Sequence, residues 1–169
     1  MRANKTLLFL LCIFALGPVK SLAEWDAATC RDLCRIVLND GRNIDEILDT
    51  GGKYTLVNNA NTSDESFISL YALNLVCDIY GNIVRLHKEG ISNMVAAHMM
   101  PDDVEVILFL FSQTNAATFR QQALDLGFKK TKTAGGKTTY RLNALELTES
   151  TGKMGRYRTY EFMVKLVSD

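Results

Sequence analysis

Hydrophobic and polar positions alternate with two different periods along this chain. Between Asp26 and about Asn39 the apolar side chains Leu33, Ile36 and Val37 recur at helical spacing, with Asp26 placed to cap the helix. Asp40-Gly41 breaks it. A second, shorter helix follows, with Asn43 as cap, Ile44, Ile47 and Leu48 inward, and Gly51-Gly52 as the stop. Residues 53–58 read as a short strand and 58–65 as a polar loop. From Leu70 to Asp78 the period drops to two. Tyr71, Leu73, Leu75 and Cys77 share one face, and Ala72, Asn74 and Val76 the other. Tyr80-Gly81-Asn82 turns the chain, and Ile83 to His87 returns as the second strand of a hairpin. Residues 89–101 begin polar and then read as a short helix through Met94, Val95 and His98.

The run Val104 to Phe111 is β-branched and aromatic. It reads as a buried strand, with a longer helix reaching Phe128 as the rival, because a short apolar run fits either period. Asn115 to Leu126 is helical, with Phe119, Ala123 and Leu126 inward and Gly127 as the stop. Residues 129–137 form a basic, glycine-bearing loop. Thr139 to Leu147 and Arg158 to Val167 are strands joined by a polar loop over 148–155. No internal repeat stands out. Helices, an antiparallel hairpin, a helical middle and a terminal hairpin together predict an α+β fold: one antiparallel sheet with the N-terminal and middle helices packed on one face.

The first residues change the setting. Leu7 to Leu16 is an uncharged apolar run behind Arg2 and Lys5. Gly17-Pro18 and then Ser21-Leu22-Ala23 follow, with small residues where a signal peptidase reads. The run is too short to span a bilayer, which takes about 20 apolar residues. The expectation is a cleaved signal over 1–23 and a single domain over 24–169, exported to the periplasm or outside the cell. Losing 1–23 removes Arg2, Lys5 and Lys20 and no acidic residue, so the remainder is slightly acidic. A chain without a basic stripe is no candidate for nucleic acid.

Cys12 leaves with the signal, and Cys30, Cys34 and Cys77 remain. In an oxidising compartment a bridge would join Cys77 to Cys30 or Cys34, closing a long loop worth about 3–4 kcal/mol; the alternative is three reduced, buried thiols. His87 and His98 are the only histidines, and no Cys-x-x-Cys pair exists, so no metal site or metal cofactor is expected. No catalytic signature occurs, and no enzyme is expected. Gly135-Gly136-Lys137-Thr138 lacks the earlier glycine of a phosphate loop and reads as a turn.

The richest constellation is Tyr71 to His87. A strand ends in Asp78-x-x-Gly81, a return strand carries Arg85, and His87 closes it. Together with Asn58-Asn59, the following Gly90-Ile91-Ser92-Asn93-Met94 and the terminal hairpin, this stretch resembles the periplasmic single Cache sensor domains, which are PAS-like. The resemblance covers roughly 26–167. It implies a small organic ligand, anionic if Arg85 is its anchor, held between sheet and helix with Tyr71 and His87 donating hydrogen bonds, and a signal passed to a membrane or envelope partner. Asp78 and Gly81 would then be structural turn residues. Two other readings stay open: an exported interaction protein acting through a surface, and a small thiol or hydrolytic enzyme.

Overall fold

The computed structural model describes residues 29–49, 54–63, 66–73, 75–77, 83–86, 93–155 and 157–167. The fold is α+β, and its largest part is an antiparallel sheet. Helix α1 (Cys30–Leu38) begins one residue after Thr29. The Thr29 hydroxyl accepts from the Asp32 amide at 3.3 Å and donates to Asp32 Oδ2 at 2.7 Å. Thr29 is therefore the cap of this helix, and Asp26 lies outside the described residues. Leu33, Ile36 and Val37 are fully buried, as their spacing predicts. Asp40 and Gly41, both at positive φ, end the helix. Helix α2 (Ile44–Asp49) buries Ile44, Ile47 and Leu48.

The strands depart from the sequence reading in six places. Strand β1 (Tyr54–Ser63) continues through the stretch expected to be a polar loop, because β2 (Ser66–Leu73) pairs along its length. The single strand expected over 70–78 is divided: β2 belongs to the main sheet, and β3 (Leu75–Cys77) pairs instead with β4 (Ile83–Leu86) in a separate two-stranded ladder. The 94–100 region is strand β5 (Met94–Met100), not a helix; it fills the gap between β2 and β6 (Asp103–Leu110). The 104–111 run is thus a strand, and the longer-helix rival falls.

After helix α3 (Gln113–Asp125), the basic segment is not a loop. It forms β7 (Lys129–Ala134) and enters β8 (Lys137–Leu142) through Gly135-Gly136, whose φ values of 58° and 75° suit a tight hairpin turn. The strand expected over 139–147 is two strands, turned at Asn143 (φ 52°). The second of them, β9 (Leu145–Met154), replaces the loop expected over 148–155 and pairs with β10 (Tyr157–Leu166).

The main sheet runs β1-β2-β5-β6-β10-β9-β8-β7. That order reads the same from either edge: a helical segment and a four-strand meander occur twice, and their last strands, β6 and β10, pair antiparallel at the centre. The repeat that residue identities hide is therefore present in the topology. All the described helices pack on one face. Helix α1 lies across β6 and β10, with α3 beside it. Phe119 of α3 meets Phe162 of β10 with ring centroids 4.6 Å apart, and Val106, Leu108, Leu147, Phe162 and Val164 complete a close-packed layer under the helices.

Candidate functional site

Strand β6 is the key to the surface. Val104, Val106, Leu108 and Leu110 are buried under helices, while Asp103, Glu105, Ile107 and Phe109 are only half-buried on the other side. The same division runs along β10, where Phe162 and Val164 are fully buried and Met163 and Lys165 half-buried. Because directly paired residues share a face, the register lets this second face be read as rows across the sheet. One row is Ile68, His98, Glu105, Lys165, Glu146, Arg141. The next is Leu70, Ala96, Ile107, Met163, Thr148, Thr139. All twelve side chains are half-buried. The first row alternates in charge, and Arg141 Nε donates to Glu146 Oε2 at 3.1 Å within it. The second is apolar in its middle.

Towards the β9–β10 hairpin the same face carries a carboxylate cradle. Thr159, itself 1% exposed, donates from Oγ1 to Glu161 Oε1 at 2.9 Å, and Ser150 Oγ donates to Oε2 at 3.4 Å. Gly152 lies beneath. A Cβ there would overlap the Glu161 carboxylate and come within 3.1 Å of Thr159 Oγ1. An apolar patch of Ala72, Met94 and Phe111, with Leu70, Phe109 and Met154 against it, adjoins the cradle.

On the helix-covered face, polar groups are tied to one another. Arg120 of α3 grips Glu149 of β9 with both Nε, at 2.9 Å from Oε2, and Nη2, while the Tyr140 hydroxyl donates to Oε2 at 3.0 Å. Burial pushes the Glu149 carboxyl up, but the Arg120 and Tyr140 hydrogen bonds and the Arg120 charge outweigh it, leaving the group below its usual range. Burial and the bond to Glu149 raise Tyr140. Cys30 and Cys34, one turn apart on α1, are free and buried. Donation to Cys34 together with burial pushes the Cys30 thiol far up, so its proton stays on.

Tyr71 is buried, and its hydroxyl donates to Asp45 Oδ1 at 2.8 Å. With Leu48, Tyr54 and Leu56 these two line an open cleft of about 220 Å³ between α2 and the β1–β2 edge. Burial, then the bond to Asp45, raises Tyr71 well above a normal phenol; burial does the same to Tyr54, with Asn93 opposing. Of the other residues expected at a ligand site, Arg85 lies on β4 with its backbone opposite Val76, and its side chain is outside the described residues. His87, Asp78 and Gly81 are outside them altogether, as is the side chain of Cys77. The structure therefore brings Tyr71 to a carboxylate that the sequence reading did not connect to it. Among the described residues no three His, Cys, Asp or Glu side chains converge in a way that could hold a metal ion, and no helix is long and apolar enough to cross a membrane.

The face missed at the sequence level had one visible sign: Asp103 and Glu105 alternate with Val104 and Val106 at the start of β6. No known protein family, curated protein or solved structure matches the chain.

Proposed function

We propose that this chain is an exported binding protein that acts through the face of its main sheet that the described helices leave uncovered, and that its partner is a protein. One observation carries the reading: β6 and β10 sit at the centre of an eight-stranded sheet, and the described helices cover only one of their faces, leaving Ile107, Met163, Glu105 and Lys165 half-buried on the other. A central strand left half-exposed on Ile107 and Met163 keeps apolar area in contact with water, at about 25 cal/mol per Å², until something covers it. The mixture favours a protein surface over other partners. A bilayer would want the charged row removed, and an anionic polymer would want a single sign of charge rather than alternation. Helix-side polar groups spent on mutual ion pairs support binding rather than catalysis.

The test is position-specific cross-linking in the producing cell. A photo-reactive residue replacing Met163 is expected to give discrete adducts, and one replacing Leu124, 42% exposed on the outer side of α3, is not. Equal adduct patterns from both positions, or none from Met163, would contradict the reading.

A second reading keeps the small-ligand, Cache-like sensor. The observation that favours it is the cleft beside Tyr71. Its ligand would be a small cation or amine rather than an anion, because the cleft's charged group is Asp45. A thermal-shift screen of amines tests it: a stabilising hit should be lost in Asp45→Asn.

A further inference from the structure

We infer that the occupant of the uncovered face is a second copy of this chain, stacked sheet on sheet about a two-fold axis that runs parallel to the strands over the β6–β10 seam. The inference rests on the reading of this face as the binding surface, and charge complementarity carries it. Such an axis reverses the strand order of the partner while keeping each row at its own height. Glu105 of one copy then stands over Lys165 of the other, because the two are register partners across the seam. His98, on β5, stands over Glu146, on β9, for the same reason. Each of these oppositions occurs twice, as a two-fold contact requires. The apolar centre matches too: Ile107 stands over Met163, also register partners.

No like-charged pair faces itself in this arrangement. Shifting the axis by one strand, to the β10–β9 seam, would still match the charges of the first row, but it would set Ile107 over Thr139 and Met163 over Thr148. Shifting it the other way, to the β5–β6 seam, would keep apolar pairs, Ile107 over Ala96 and Met163 over Leu70, but would set Lys165 over Ile68. The Glu105–Lys165 opposition together with the apolar pair therefore favours the β6–β10 seam. Two sheets packed face to face lie about 10 Å apart, within reach of glutamate and lysine side chains from opposite sides. Six strands span roughly 24 Å across, a small interface, so the dimer is reversible rather than obligate.

Light scattering on the eluting protein, with two charge-reversed variants, decides the matter. The wild-type mass should rise from one chain towards two between about 1 and 500 µM. Glu105→Lys alone places Lys over Lys165, and Lys165→Glu alone places Glu over Glu105, so each variant should stay at the mass of one chain. Mixed in equal amounts, they should regain the two-chain mass, since each variant then offers the charge that the other lacks. That recovery also shows that both variants are folded, and a role confined to the Glu105–Lys165 pair within one chain would not produce it. A wild-type mass of one chain at every concentration, single variants that dimerise like wild type, or a mixture that stays at one chain would each overturn the inference. If dimerisation fails while the residue at Met163 still cross-links to a different protein, the second-copy inference falls and the binding-face reading stands. If Met163 yields no adduct at all, both fall.

Discussion

Glu149 shows how a single carboxylate ties α3 to the sheet. It accepts from Arg120 and Tyr140 while largely shielded from water. Its folded-state affinity for a proton is below the ordinary one, so the unfolded chain takes up the proton first as pH drops. The contribution of this group is therefore fully present above the ordinary carboxylate range, near 4.5, and is lost as pH falls through the lower folded value. Glu149→Gln should cost about 1–2 kcal/mol at pH 7, allowing for the partly exposed Arg120. In urea titrations the gap to wild type should narrow steadily below about pH 4.5. A gap that is independent of pH would deny the ion pair its role. Gly152 makes a different kind of residue-level statement. Gly152→Ala should displace the Glu161 carboxylate and forfeit its bonds to Thr159 and Ser150, at about 1 kcal/mol each. Most of that cost should disappear when Glu161→Ala is already present, leaving only the 3.1 Å approach to Thr159 Oγ1, which a double-mutant cycle on melting temperatures reads directly.

At the scale of elements, α1, α2, α3 and β10 were legible because each has a buried stripe of one clear period, and β6 because its β-branched and aromatic run favours a strand although it fits either period. Leu33-Ile36-Val37 and Phe162-Val164 landed where their spacing put them. β5 was not legible: Met94-Val95-Ala96-Ala97-His98-Met99-Met100 is made largely of helix-tolerant residues, and only pairing with β2 and β6 extends it. β7 left no pattern either. All six of its residues are exposed, so no buried period exists to read, and its lysines suit an edge strand that must not recruit another. The stretch read as one alternating strand from Leu70 to Asp78 is split between two ladders, and nothing in its pattern marks where the chain leaves one sheet for another. Thr29, rather than Asp26, caps α1, and Thr29→Ala should lower stability by about 1 kcal/mol in denaturant unfolding. No measurable change would mean that the bonds to Asp32 are not what starts the helix.

The molecule as a whole has a two-sided character that no single element reveals. Two helix-plus-meander halves meet at β6 and β10, and the described helices all fall on the same face. The candidate site is the consequence: a face defined by register across six strands, with Ile68 and Arg141 at opposite ends of one row. Sequence reasoning places residues along strands and cannot align strands that are distant in the chain, so the row stayed hidden although the alternation of Asp103 and Glu105 hinted at it. Tyr71 was expected to donate to a ligand; its hydroxyl donates to Asp45, which lies 26 residues earlier on another element.

Hydroxyl-radical footprinting tests the central claim most directly, by comparing the chain in a native fraction from the producing cells with the purified chain at high dilution. A partner-covered sheet face should slow modification of Met163 and Ile107 severalfold in the native fraction, while Leu38 and Leu124, exposed on the helices, react equally in both. Unchanged reactivity at Met163 and Ile107, or equal protection at Leu38 and Leu124, would contradict it.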